Sequence, residues 1–200
     1  MNLIVTRRPN KLCWSDSCPF GLGGFLLHSG RAWRIRSPKG SILYGNGTIN
    51  NLLEFIGMAV NIWLECLDSD LHDCILSLGD NTSGVGWLHN SSRLNNKWAA
   101  HEAHLMVARH VALLVLNAGC CPVSQHIQGE LNTVADLLSF AGGITRVGGK
   151  RHPLAFDGPP NHILTQRFHL YYPEQIPENF RISQLPARFL CPCFKSLHHL

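Results

Sequence analysis

Three strand-length runs precede the first helical pattern in this chain, and no other feature restricts its fold as much. Lys11 to Cys18 and Phe20 to His28 are apolar-rich runs joined around Pro19, with Gly21, Gly23 and Gly24 close by. After a Ser29-Gly30 turn, Arg31, Trp33 and Ile35 alternate with Ala32, Arg34 and Arg36. Runs of period two separated by tight turns predict an antiparallel meander. The period then changes. From Asn50 to Leu67, residues Leu52, Leu53, Phe55, Ile56, Ala59, Val60, Trp63 and Leu67 make one broad apolar helix face. Asn51 stands as its N-cap, with Glu54 three residues on as in a capping box.

Cys74 to Leu78 is a short apolar run ending in Gly79-Asp80, the pattern of a buried strand whose C-terminal edge opens onto a site. Helices are predicted from about Ser83 to His89 and from Ala99 to Asn117, the second closed by Gly119. Pro122 to Ile127 predicts a fifth strand, and Asn132 to Phe140 a last short helix ended by Gly142-Gly143. This order predicts an α/β fold: a five-stranded mixed sheet, three antiparallel strands then two parallel, flanked by helices.

At 200 residues and 45% hydrophobic content, with mean hydropathy near zero, the chain can bury an ordinary core. The N-terminal residues lack the apolar run of a signal peptide, and Val107 to Leu116 is interrupted by Arg109 and His110 and too short to span a bilayer. The expectation is an intracellular protein, cytoplasmic or nuclear, not secreted and without a membrane partner. Eight cysteines are scattered through core-like segments and not spaced as a framework, so reduced, mostly buried thiols are expected. Residues 141–200 hold seven of the eleven prolines and little periodicity beyond a helical pattern around His162 to Leu170. The organisation read from this is an N-terminal lead over 1–11, a folded domain over 12–140 and a Pro-rich extension or linker over 141–200.

Charge is segregated. The first forty residues carry seven Lys/Arg against one acid, residues 41–140 three against nine, and residues 141–200 seven against three. A basic flank beside an acidic centre suits an enzyme that attracts phosphates while holding metal ions, and it is equally the pattern of unevenly distributed solvated charge. Within the acidic centre and just before it, Asp16, Glu54, Asp80 and Asp136 each stand where the chain leaves a strand or enters a helix. Carboxylates gathered from distant segments are the usual way to hold a pair of Mg²⁺ ions. Three of them have a purely structural reading: Glu54 as the N3 member of a capping box, Asp80 as an N-cap and Asp136 as a solvated helix position. Asp16 is the least easily dismissed in this way, because an Asp inside an apolar strand must be desolvated without an evident partner.

Trp14-Ser15-Asp16-Ser17 with Gly21-Leu22-Gly23-Gly24, Asn50-Asn51-Leu52-Leu53-Glu54, Leu78-Gly79-Asp80-Asn81 and His126-Ile127-Gln128-Gly129-Glu130-Leu131-Asn132-Thr133-Val134-Ala135-Asp136-Leu137-Leu138-Ser139 follow one another in the chain. Together they resemble the type 1 ribonuclease H domain of retroelement reverse transcriptases, closest to DIRS-like and related retrotransposons, over roughly residues 12–140. Gln128 departs from the Pro of the family's last motif, and the His-containing loop of cellular enzymes is shortened. His126 reads as a packed, hydrogen-bonded histidine. No Tyr-x-Asp-Asp polymerase signature is present, so the resemblance is to a ribonuclease H portion detached from its polymerase.

The resemblance implies a ribonuclease H-like fold and two Mg²⁺ ions about 4 Å apart, for which Mn²⁺ can substitute. Asp16 would bridge both ions, Glu54 and Asp80 would complete the first site, and Asp136 would support the second. It also implies cleavage of the RNA strand of RNA–DNA hybrids, with a reverse transcriptase polymerase domain as a further partner. Asn51 and Asn81 are the implied contacts to the hybrid's minor groove, and Arg34, Arg36, Arg93 and Lys97 are available for phosphates. The competing reading from another class is a catalytically silent remnant that binds hybrid or protein, whose signature is loss of a metal carboxylate. An integrase or exonuclease is disfavoured by Glu54 after Asn50-Asn51 and by the terminal Asn-x-x-Ala-Asp. His101 and His104 read as a polar helix face, Trp63 and Trp87 as core packing with Trp87 near enough to Asp80 to line a groove. Cys191, Cys193, His198 and His199 make a weak zinc pattern.

Overall fold

The three N-terminal runs pair as the expected meander in the structure, a computed structural model that describes residues 8–29, 31–36, 49–89, 101–140, 146–147, 150–151 and 181–184. Strand β1 (Lys11–Cys18) lies antiparallel to β2 (Gly21–Leu26), which lies antiparallel to β3 (Arg31–Arg36). Helix α1 (Asn50–Leu67) then crosses back, and β4 (Cys74–Gly79) pairs parallel to β1. Helices α2 (Thr82–His89) and α3 (His101–Ala118) lead to β5 (Cys121–His126), parallel to β4. A single 3₁₀ turn, Gly129–Leu131, precedes helix α4 (Thr133–Phe140). The order β3-β2-β1-β4-β5 is the predicted mixed sheet with flanking helices, in the ribonuclease H-like layout.

The region read as an extension contributes to that sheet. After the short ribbon β6 (Arg146–Val147) and β7 (Lys150–Arg151), strand β8 (Arg181–Gln184) runs parallel to β3 and covers the edge that the meander leaves open. Four residues offer too little period to be found in a Pro-rich sequence, since a sheet edge recruits them through backbone hydrogen bonds. The helical pattern at His162 to Leu170 and the Cys191, Cys193, His198 and His199 pattern lie outside the described residues. No helix among the described residues is long and apolar enough to cross a membrane. Cys13, Cys18, Cys66, Cys74, Cys120 and Cys121 are free thiols, as expected.

Strand alternation sends successive side chains to opposite faces of the sheet. Cys13, Leu22, Leu26, Trp33, Ile35 and Ile75 face α1 and α3, whereas Trp14, Phe25, Ala32 and Leu78 face Val134, Ala135 and Leu138 of α4. Trp33 buries its indole and donates its Nε1–H to Asn61 Oδ1 at 2.8 Å, which satisfies the polar end of a core aromatic. Trp14 and Phe25 stack at 4.6 Å across β1 and β2 on the other face.

One expectation is corrected here and another is met. His104 is no part of a polar face: it is fully buried on α3, 4.7 Å from the Phe55 ring and 4.3 Å from that of Trp87. α3 turns this side toward α1 and α2, which the mixed polar sequence of its first turns conceals. Burial, and after it the charge of His101, holds the His104 imidazole down to about 4. Trp87, half-buried, packs against this cluster edge-on to Phe55, the core packing expected of it.

At the start of β1, Lys11 is buried beneath the end of α1. Its ammonium lies 3.1 Å from Asp73 and 3.7 Å from Glu65 and donates to the Asp68 carbonyl at 2.8 Å. The opposite end of β1 carries Asp16, and there α4 meets β2. A Cβ on Gly23 would collide with Leu138 Cβ, so α4 rests directly on strand backbone. Replacing Gly23 by Ala should cost about 2–3 kcal/mol by overpacking. Urea titration followed by circular dichroism measures this, and a loss below about 0.5 kcal/mol would mean the helix can lift freely.

Candidate metal centre

β1 carries Asp16 toward its C-terminal end, α1 carries Glu54 near its first turn, and Asp80 directly follows β4. Because β1 and β4 are parallel neighbours, both strand ends open on the same side, and α1 begins beside them. One carboxylate oxygen from each of Asp16, Glu54 and Asp80 lies within 4.8 Å of the other two. Asp16 and Glu54 are buried and Asp80 is half-buried. Asp136 stands half-buried on α4, outside this triad yet near enough for its charge to act on Asp16.

The local hydrogen bonds replace the structural readings of these acids. Glu54 closes no capping box: α1 begins at Asn50, its N-cap position is Ile49 without a side-chain cap, and Asn51 lies inside the first turn. Glu54 Oε1 instead accepts the backbone N–H of Ser17 at 3.2 Å, reaching from helix to strand. Asp80 is not the cap of α2 either. That role falls to Asn81, whose Oδ1 accepts the Gly84 N–H at 2.9 Å, leaving the neighbouring carboxylate for the site. Asn81 Nδ2 donates to Asn51 Oδ1 at 2.9 Å, so the two asparagines predicted to touch a nucleic acid join α1 to α2 beside Glu54 and Asp80.

The last motif packs around the acids. His126 Nε2 lies 3.0 Å from the Asp80 carbonyl, so this histidine is hydrogen-bonded as expected, yet it is exposed and not packed. Gly129 comes so close to Asp80 that a Cβ there would sit 3.1 Å from Oδ2 and crowd the carboxylate. Asn132 Nδ2 donates to the Ser15 carbonyl at 3.0 Å and docks the start of α4 on β1. Ser139 was not singled out from the sequence, although its hydroxyl donates to Asp16 Oδ2 at 2.6 Å. The available signal was a small polar residue three positions after Asp136 in an apolar helix, which places both on one helix face. Among the basic residues, Arg34 is half-buried in the sheet row that contains Asp16 and Gly23. Arg36 ends β3 with its side chain outside the described residues, and Arg93 and Lys97 lie outside them altogether.

Desolvation raises both buried acids. Asp16 is pushed up to about 7, by burial first and then by the charges of Asp80 and Asp136 against the Ser139 hydrogen bond. Glu54 is pushed up to about 9, by burial and by Asp16. Three converging carboxylates are hard oxygen donors, which suit Mg²⁺, Mn²⁺ or Ca²⁺ in preference to a thiophilic metal. A divalent cation would replace the protons this site otherwise holds.

The pH dependence follows from these shifts. Both acids have folded-state values above their unfolded ones, so their contribution to stability is full below about 4 and is lost as pH rises through 7 toward 9. His104 acts in the other direction, removing stability as pH falls from 6.5 to about 4. In EDTA the melting temperature should therefore fall between about pH 6.5 and about pH 9, and Asp16→Asn should flatten that decline. Excess Mg²⁺ should restore more stability at the alkaline end than at the acid end, because binding there displaces fewer protons. Scanning calorimetry with and without Mg²⁺ checks both, and a flat metal-free profile would show that the carboxyls are not strained. No protein-family model and no curated protein matches this chain.

Proposed function

We propose that this chain is a metal-dependent endonuclease of the ribonuclease H type, hydrolysing the RNA strand of RNA–DNA hybrids, of the kind carried by retroelement reverse transcriptases. The observation that carries the reading is the convergence of Asp16, Glu54 and Asp80 within 4.8 Å, from three separate elements of a sheet with the ribonuclease H-like order. Asp136 on the helix over β1 and β2 supports it as the fourth acid. The silent-remnant reading expects a missing metal carboxylate, and all four are present.

Asp16, Glu54 and Asp80 would hold one divalent ion, and Asp136 would assist a second. When bound, such ions activate water for attack on phosphorus and neutralise charge on the leaving oxygen. The chain's own groups do the rest. Ser17 N–H keeps Glu54 turned toward the strand, Gly129 keeps the approach to Asp80 clear, and the Asn51–Asn81 pair edges the site with amide groups able to meet ribose hydroxyls. Arg34, Arg36, Arg93 and Lys97 are the residues proposed to meet phosphates.

The decisive assay is cleavage of an end-labelled RNA–DNA hybrid in Mg²⁺ or Mn²⁺, with duplex DNA as control. The wild-type chain should cut only the RNA strand, and Asp80→Asn should lower the rate by at least a hundredfold while leaving the fold intact by circular dichroism. A folded protein that binds hybrid without cutting it would favour the silent binding module.

A further inference from the structure

Ser139 makes a side-chain hydrogen bond to Asp16 and comes from the helix that also carries Asp136. Its hydroxyl is buried and lies 2.6 Å from Asp16 Oδ2, a short contact that becomes charge-assisted once the carboxylate is ionised. The same oxygen lies 2.9 Å from the Asp136 carbonyl, and the Ser139 carbonyl faces Cys18 Sγ at 3.5 Å. A hydroxyl has a single proton, and an ionised carboxylate is the stronger acceptor, so Asp16 takes it.

Resting on the metal-centre reading, we infer that Ser139 is a positioning residue: its hydroxyl fixes the Asp16 carboxylate for metal binding and ties Asp136 to Asp16 at a set spacing. Asp16 stands two residues before the end of a buried strand, where the Ser17 backbone and the Ser139 hydroxyl are the hydrogen-bonding groups that act on its carboxyl. Glu54 is anchored by the Ser17 N–H, whereas Asp16 takes a side-chain anchor from across the α4 interface. Removing that donor frees the carboxylate to rotate and leaves a desolvated oxygen without its partner. Partners of this kind around metal ligands typically change metal affinity 10- to 100-fold.

Asn132 provides the control. It also docks α4 on β1, through the Ser15 carbonyl, and its other amide atom, Oδ1, has no hydrogen-bond partner among the described residues. The experiment is calorimetric titration of the full chain with Mn²⁺ at mildly alkaline pH for wild type, Ser139→Ala, Ser139→Thr and Asn132→Ala, with the metal-free melting temperature of each taken in EDTA. Ser139→Ala should weaken Mn²⁺ binding about tenfold or more, and Ser139→Thr, which keeps the hydroxyl, should recover most of the loss. Asn132→Ala should lower the melting temperature yet leave Mn²⁺ affinity within about twofold of wild type. If Ser139→Ala binds Mn²⁺ like wild type, or if both alanine variants lose affinity in proportion to their loss of melting temperature, the inference is overturned while the metal centre stands. If the wild-type chain takes up no Mn²⁺, the metal-centre reading itself fails.

Discussion

Holding three carboxyl groups within reach of one another and away from water is the costly element of this fold, and the surrounding elements are arranged so that none of them can relax. Asp16 cannot swing out because β1 is an inner strand, paired with β2 on one side and β4 on the other. Glu54 is tied to the Ser17 backbone, and the turn at Gly129 passes so close to Asp80 that no side chain fits there without crowding its carboxylate. The cost is visible in the acids themselves, raised to about 7 and about 9 chiefly by burial. Such a site keeps its protons until a cation replaces them, which couples metal uptake to pH.

The two ends of β1 show why the cluster points outward for its counter-charge. At the N-terminal end, buried Glu65 and neighbouring Asp73 face a cation the chain supplies, Lys11. At the other end, the charges that act on Asp16 and Glu54 are those of other acids, each other's and those of Asp80 and Asp136. One strand thus carries a clasp that supplies its own cation and, at its other end, acids that raise one another. The clasp makes the structural contribution, holding the end of α1 to the start of β4. The acid-rich end is where chemistry with an external cation fits.

Much of the architecture was legible because its periods are unambiguous. The bounds of β1, β3 and α1 coincide with their patterns, and Gly119 closes α3 with a left-handed φ of +66°, as its place after the last apolar residue suggested. What the patterns missed shares one cause: a side chain's partner is not encoded in its own segment. Asn51 has the chemistry of a cap, but α1 starts one residue earlier and its amide serves Asn81. His104 has the composition of a surface residue, yet Phe55 and Trp87, from two other helices, enclose it. Strand β8 has no period to read and exists through the hydrogen-bonding edge of β3.

By itself the sequence determined the order of strands and helices and which four acids stand at their ends, because period, turn residues and charge are local properties. The tertiary structure decided which of those acids meet. Parallel pairing of β1 with β4, and the start of α1 beside them, bring Asp16, Glu54 and Asp80 within 4.8 Å and leave Asp136 one step outside. It also decided that Ser139 holds Asp16, across 123 residues of chain. Distances of that kind arise only when separate apolar faces are buried on one sheet, and no local property of the chain carries them.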